Sequence, residues 1–231
     1  VGVEVPNTKR ETITLRSVFE SDVWRNHKGE IPVVLGKNVS GKPVVTDLAK
    51  APHLLIAGAT GSGKSVCVNS LIMSLMFKFR PDELRLILVD PKVVEFTFYQ
   101  TLPFLITPVI NESNKALLAL RWAVNEMEKR YRILAKVKTR NIKEYNTRGI
   151  ANTGVSDEAG QPLPEKLPLL IIIVDEFADL MMGDRNVRKD VETAIARIAQ
   201  KGRAAGVHIV LATQRPSTNV LTGVIKANLP T

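Results

Sequence analysis

The chain has 231 residues, 45% hydrophobic and 5% aromatic, enough to bury one substantial core with at most a small appended subdomain. Its formal charge of +9 and pI near 9.7 point to a polyanionic partner, nucleic acid first and an acidic membrane surface second. One cysteine excludes an internal disulfide framework, three histidines make a poor basis for structural zinc, and such usage fits a reducing cytoplasm. No run reaches the roughly 18 uninterrupted apolar residues of a spanning helix, and the first residues carry no signal-peptide pattern, so the stretch reads as soluble.

Residues 1–45 read as a small β-rich lead-in. Ile13-Thr14-Leu15 and Ile31-Pro32-Val33-Val34-Leu35-Gly36 are strand-like, with turns marked by Gly29, Gly36 and Gly41. Pro43-Val44-Val45-Thr46-Asp47-Leu48 predicts one more strand. From residue 46 onward strand and helix alternate, the pattern of a mostly parallel sheet covered by helices on both faces. A short buried strand over 53–57 is followed by Gly58-Ala59-Thr60-Gly61-Ser62-Gly63-Lys64-Ser65 and then an apolar helix over 66–79, in which Cys67 reads as a core residue.

Arg80-Pro81-Asp82 stops that helix, and a strand over 84–89 runs into Asp90-Pro91-Lys92. Residues 105–110 form a further possible strand. One long helical pattern, or two abutting ones, covers 114–148, with basic residues such as Arg121, Lys129, Arg130, Arg132 and Lys136 on most sides. It fits a DNA-facing surface or a solvated face equally well. Residues 149–168, rich in Gly and Pro, read as a flexible surface loop. Leu169-Leu170-Ile171-Ile172-Ile173-Val174 is an unbroken apolar run ending in Asp175 and Glu176, as a strand buried on both faces would be. A helix over 187–200, a glycine-flanked turn over 201–206 and a strand over 207–213 ending at Gln214 complete the series.

The glycine, four free positions and Gly-Lys-Ser between a strand and a helix make a phosphate loop. Glycines turn successive N–H groups toward phosphate oxygens while the helix N-terminus adds partial positive charge. Gly58 to Val66 would cradle the triphosphate of ATP, Lys64 would reach its β- and γ-phosphates, and the Ser65 hydroxyl would ligate Mg²⁺. Asp175, on a Walker B strand, would share that ion, and Glu176 would orient the attacking water. Asp90 is a rival for the ion, but Asp175 has the adjacent carboxylate a hydrolase needs. Gln214 is placed to sense the γ-phosphate. Arg203 would reach a neighbouring subunit's nucleotide as an arginine finger, contact a DNA phosphate, or remain a solvated loop arginine. By analogy, a strand between Walker A and Walker B makes the fold an α/β, RecA-like P-loop NTPase of the additional-strand type.

Pro52 to Ser65, Asp90-Pro91-Lys92, Val174-Asp175-Glu176-Phe177-Ala178-Asp179-Leu180 and Ala212-Thr213-Gln214-Arg215-Pro216-Ser217, in this order, resemble the motor of the FtsK/SpoIIIE DNA translocases. The resemblance covers nearly the whole chain and implies an ATPase ring, a hexamer, pumping double-stranded DNA in chromosome segregation at cell division. It also implies an inner-membrane anchor N-terminal to a cytoplasmic motor, further motor strands after Thr231, and a lead-in that ends the smaller motor subdomain. Arg203, Arg215 and Lys226 are candidate DNA contacts. A conjugative or secretion-type hexameric DNA pump is the alternative within the class, and a phosphate-loop small-molecule kinase outside it.

Overall fold

In the computed structural model, which describes residues 12–149, 155–156 and 160–229, the lead-in opens on two short helices, α1 (Leu15–Phe19) and α2 (Asp22–Arg25). Thr14 and Ser21 cap them, each side-chain oxygen accepting a backbone N–H in the first turn. The segment read as a strand at 13–15 is therefore a helix start, because the Thr14 hydroxyl satisfies a helical donor that a strand would pair elsewhere; residues 1–11 of the lead-in lie outside the described residues. β1 (Pro32–Lys37) and β2 (Pro43–Asp47) follow as an antiparallel pair with a bulge at Gly36, whose φ of +128° only glycine adopts readily. The Asp47 carboxylate accepts the Glu30, Ile31 and Ala49 amides, holding both ends of this hairpin together.

The main sheet consists of β3 (His53–Ala57), β4 (Leu84–Val89), β5 (Leu169–Val174) and β6 (Val207–Thr213), all parallel, in the order β3-β6-β5-β4. β6, the last of these strands in sequence, is inserted between the phosphate-loop strand and β5, the sheet order of the additional-strand type, while the strand read between Walker A and Walker B in sequence is β4, beyond β5. Residues 105–110 add only two isolated bridges to β4, at Leu105 and Ile110, and so are an edge segment rather than a strand.

Alternation along these strands builds two cores. Leu86, Leu88, Ile171, Ile173, Val210 and Ala212 face α3 (Lys64–Lys78), against which the β1–β2 hairpin also packs. Two buried serines of α3 make that second contact specific: Ser74 accepts the Val34 amide at 2.9 Å and Ser70 donates to the Val34 carbonyl at 2.8 Å. Ile87, Val89, Leu170, Ile172, Val174, Ile209 and Leu211 face the other layer. That layer contains α4 (Ser113–Lys136), α6 (Phe177–Met181), α7 (Arg185–Ala205) and α8 (Gly223–Asn228). α5 (Ile142–Thr147) closes a small third cluster through Tyr145, Ile142 and Leu167. The flexible loop read at 149–168 lies partly outside the described residues; at its end Asn146 exchanges two 2.8 Å hydrogen bonds with the Leu167 backbone.

Two further readings change. The basic surface of 114–148 is interrupted, because Arg130 is buried, bonded to Glu126 and the Ala205 carbonyl. The turn read at 201–206 is the last turn of α7, which ends at Gly206 with φ +66°. Gly202 sits inside the helix because a Cβ there would lie 2.2 Å from the Val207 carbonyl oxygen.

Candidate nucleotide-binding and hydrolysis site

The carboxyl ends of the four strands meet at one edge, where open α/β sheets gather chemistry. β3 delivers the phosphate loop; β5 delivers Asp175 and Glu176; β6 delivers Thr213 and Gln214; β4 delivers Asp90. The loop is tied to its neighbour strand by the Gly58 amide, which donates to the Thr213 carbonyl at 3.1 Å. Gly61 (φ +81°) and Gly63 (φ +93°) take left-handed conformations that side chains resist. α3 begins at Lys64 with no side-chain cap, so the N–H groups of its first turn, including those of Ser65 and Val66, are available to an anion.

Lys64 and Asp175 form a buried ion pair, Nζ to Oδ1 2.6 Å with both side chains 3% exposed, and Nζ also donates to the Asp175 carbonyl at 2.8 Å. Burial holds the Asp175 carboxyl above its ordinary value; Lys64 opposes this only in part, and the nearby Glu95 and Asp90 carboxylates add to it. The Ser65 hydroxyl donates to Glu95 at 2.7 Å. Glu176 is also buried: its Oε1 accepts the Thr213 hydroxyl at 2.6 Å, its Oε2 accepts Lys92 Nζ at 3.2 Å, and the Gln214 amide approaches both oxygens at 3.2 Å. Burial alone would raise the Glu176 carboxyl, but these three donors together hold it below its ordinary value. The Gln214 side chain reaches the phosphate loop, accepting the Thr60 hydroxyl at 3.3 Å.

Asp90 is a scaffold. Its carboxylate accepts the Lys92, Val94, Glu95 and Phe96 amides at 2.9–3.2 Å, which leaves it committed to organising its own loop. Arg203 stands apart from the rest. It is exposed on the last turn of α7, before β6 starts, so the seven residues of β6, roughly 20 Å at about 3.3 Å each, separate it from the carboxyl edge. There it lines a cavity of about 920 Å³ with Asp47, Tyr131, Lys143, Lys201 and His208. Arg215 is exposed at the opposite end of β6, its guanidinium 3.5 Å from the Met182 sulfur, and Lys226 is exposed on α8, which packs on α7.

Sequence reasoning assigned no role to Lys92, Glu95 or Thr213. Thr213 had a signal, a hydroxyl ending an otherwise apolar strand, and Lys92 belongs to the Asp-Pro-Lys run; Glu95 had none. Among the described residues no cluster of three or more His, Cys, Asp or Glu side chains is arranged to hold a metal alone, and no helix is long and apolar enough to cross a membrane.

A phosphate loop against a buried Lys–Asp pair, a buried glutamate beside it and a strand inserted between β3 and β5 define a phosphate-loop ATPase fold of the additional-strand type. The comparisons narrow that class. The FtsK/SpoIIIE family model matches residues 14–218, and the chain belongs to that family. It is 50% identical, over 243 aligned positions covering all of this chain and 26% of the relative, to the DNA translocase FtsK of Pasteurella multocida (strain Pm70). Among solved structures it resembles the pCW3 conjugation coupling protein TcpA in its monomer form with ATPγS (31% identity, TM-score 0.69, 88% of this chain and 54% of that one). It also resembles the cytoplasmic domain of the Thermomonospora curvata type VII secretion ATPase EccC (26% identity, TM-score 0.73, 95% of this chain and 26% of that one). The chain spans between 23% and 45% of the length of five curated relatives it matches.

Proposed function

We propose that the chain is the ATP-hydrolysing motor of a DNA translocase acting in chromosome segregation at cell division. The observation that carries this reading is the convergence of Lys64, Ser65, Asp175, Glu176 and Gln214 at one sheet edge of an FtsK/SpoIIIE-family chain. ATP would lie along the phosphate loop, its terminal phosphates exchanging for Asp175 as the partner of Lys64. Mg²⁺ fits the donors present: the Ser65 hydroxyl and the Asp175 carboxylate are hard oxygen ligands, and Glu95 and Asp90 crowd further negative charge around an Asp175 that Lys64 balances only in part. When bound, the ion would neutralise charge on the phosphate oxygens. Glu176 would orient the attacking water, and Gln214, bonded to the loop through Thr60, would register the γ-phosphate.

The amino-edge position of Arg203 supports a site shared between subunits: it cannot serve its own nucleotide from there, but a neighbour stacked against that edge would present one to it. That sharing, together with the family, supports a closed homo-hexameric ring around double-stranded DNA. The net charge of +9 supports binding largely through DNA phosphates, with marked salt dependence and little sequence preference. Arg215 and Lys226 are the candidate contacts, on exposed surface. Any membrane anchor would belong to other parts of a longer protein, leaving this segment on the cytoplasmic side. The likeness to a conjugation coupling protein keeps a transfer-type DNA pump as the second reading, at 31% identity against 50% for the division-linked relative.

Mixing tests the shared site. Arg203→Ala and Lys64→Ala chains, each inactive alone, should regain ATP turnover when co-assembled, because some interfaces then carry an intact Lys64 facing an intact Arg203. Turnover by Arg203→Ala alone at the unmodified rate would remove the finger role.

A further inference from the structure

We propose that Lys92 is a positioning residue for Glu176: it latches the carboxylate against Thr213 and Gln214, and water can be activated only when that latch opens. The proposal rests on the reading of Glu176 as the group that orients the attacking water. A carboxylate offers about four lone-pair positions. Those of Glu176 are directed at the Thr213 hydroxyl, the Gln214 amide, shared by both oxygens, and the Lys92 ammonium, and the side chain is 1% exposed. An attacking water reaches Glu176 only by displacing a donor. Thr213 ends β6, is wholly buried and has its hydroxyl oxygen tethered by the Arg215 amide at 3.0 Å, and the Gln214 amide is part of the backbone that follows, so both are held in place. Lys92 is the donor free to leave. Its side chain is 41% exposed, it lies on the loop after β4, and its flexible stem ends in a point charge that anionic phosphate oxygens can attract.

The loop that carries Lys92 is built to move as a unit. Val93, a β-branched residue, is held at φ +56°, a left-handed conformation that such a side chain rarely adopts. The Asp90 carboxylate imposes it by gathering four backbone amides of residues 92–96. The same loop sends Glu95 to the Ser65 hydroxyl at 2.7 Å. One strained segment therefore touches both the hydroxyl assigned to the metal and the carboxylate assigned to the water. Withdrawal of Glu95 from Ser65 and of Lys92 from Glu176 is a single displacement, and it ties hydrolysis to correct seating of the nucleotide.

The test compares Lys92→Met, which keeps the apolar stem without the charge, Lys92→Gln and Lys92→Arg in the full-length protein, with Glu176→Gln alongside. Readouts are kcat and KM for ATP without DNA and with saturating linear duplex, and equilibrium binding of ATPγS. Lys92→Met and Lys92→Gln should raise DNA-free kcat about fivefold, the factor that corresponds to release of one half-exposed ion pair of about 1 kcal/mol. KM and ATPγS affinity should stay within about twofold, and the ratio of DNA-stimulated to DNA-free turnover should fall. Lys92→Arg should restore the original ratio. Unchanged or lowered DNA-free kcat in both neutral variants overturns the latch, as does a raised KM with weaker ATPγS binding, which would make Lys92 a phosphate contact. Undiminished turnover by Glu176→Gln would instead overturn the role of Glu176, an outcome separable from the latch because it does not depend on residue 92.

Discussion

His53 and His208 give the fold a measurable dependence on pH. They lie at the starts of adjacent strands with ring centroids 6.1 Å apart, both buried. His53 Nδ1 accepts the Ile209 amide at 3.2 Å, which puts its proton on Nε2, an atom without a hydrogen-bond partner among the described residues. A second proton would have to sit on Nδ1, facing the Ile209 N–H donor. His208 Nδ1 lies 2.8 Å from the Pro52 carbonyl and so donates to it, and a second proton on its other nitrogen would be buried near Arg130 and Arg203, with the Pro52 carbonyl and Asp47 opposing the loss of charge only in part. Burial, and for His53 the neighbouring His208, lowers each from 6.5 to about 4. Both folded values lie below the unfolded one, so the unfolded chain binds more protons between pH 4 and 6.5 and stability is lost as pH falls through that window. Linkage with those values gives a loss of about 2 kcal/mol per histidine between pH 7 and pH 5. Urea unfolding of residues 1–231 at pH 7, 6 and 5 measures the loss. A His53→Asn/His208→Asn double variant, whose amides can replace the Ile209 and Pro52 contacts, should be less stable at pH 7 but largely insensitive to this pH change. Stability flat to within about 0.5 kcal/mol in the unmodified chain would refute the neutral buried pair.

The Lys64–Asp175 pair predicts that Lys64→Met destabilises the protein by about 2–3 kcal/mol besides abolishing nucleotide binding, the low end for a broken buried pair because burial already favours a protonated Asp175. A double-mutant cycle with Asp175→Asn should show a coupling of at least about 1 kcal/mol, and additivity within about 0.5 kcal/mol would contradict it. Gly202→Ala should lower stability by about 2 kcal/mol or more, because the new methyl group meets the Val207 carbonyl, which β6 cannot easily yield. An unfolding midpoint equal to that of the unmodified chain would show that the α7–β6 junction is looser than described.

Much of this arrangement was legible from residues alone, for identifiable reasons. β5 is buried on both faces and appears as a continuous apolar run, β4 and β6 depart from one only at Arg85 and at His208 and Thr213, and the phosphate loop is a fixed spacing between a strand and a helix. The short helices α1, α2, α6 and α8 run four to six residues, too few to show a helical period, and Thr14, Ser21 and Thr222 cap three of them locally. Arg203 was assigned to a turn because Gly202 and Gly206 bracket it; only Gly206 ends the helix, while Gly202 permits close packing. The pairing of the β1–β2 hairpin with α3 through Ser70 and Ser74 has no local signature. The same is true of the site's fine structure: Lys92 meets Glu176 across 84 residues and Glu95 meets Ser65 across 30, contacts that exist only once β4, β5 and α3 are side by side.

Steady-state ATP hydrolysis with and without linear double-stranded DNA, at low and moderate salt, tests the central claim most directly. The account predicts turnover that DNA stimulates strongly, that rising salt weakens, and that Lys64→Ala abolishes. Turnover indifferent to DNA at both salt concentrations in the full-length protein would contradict it.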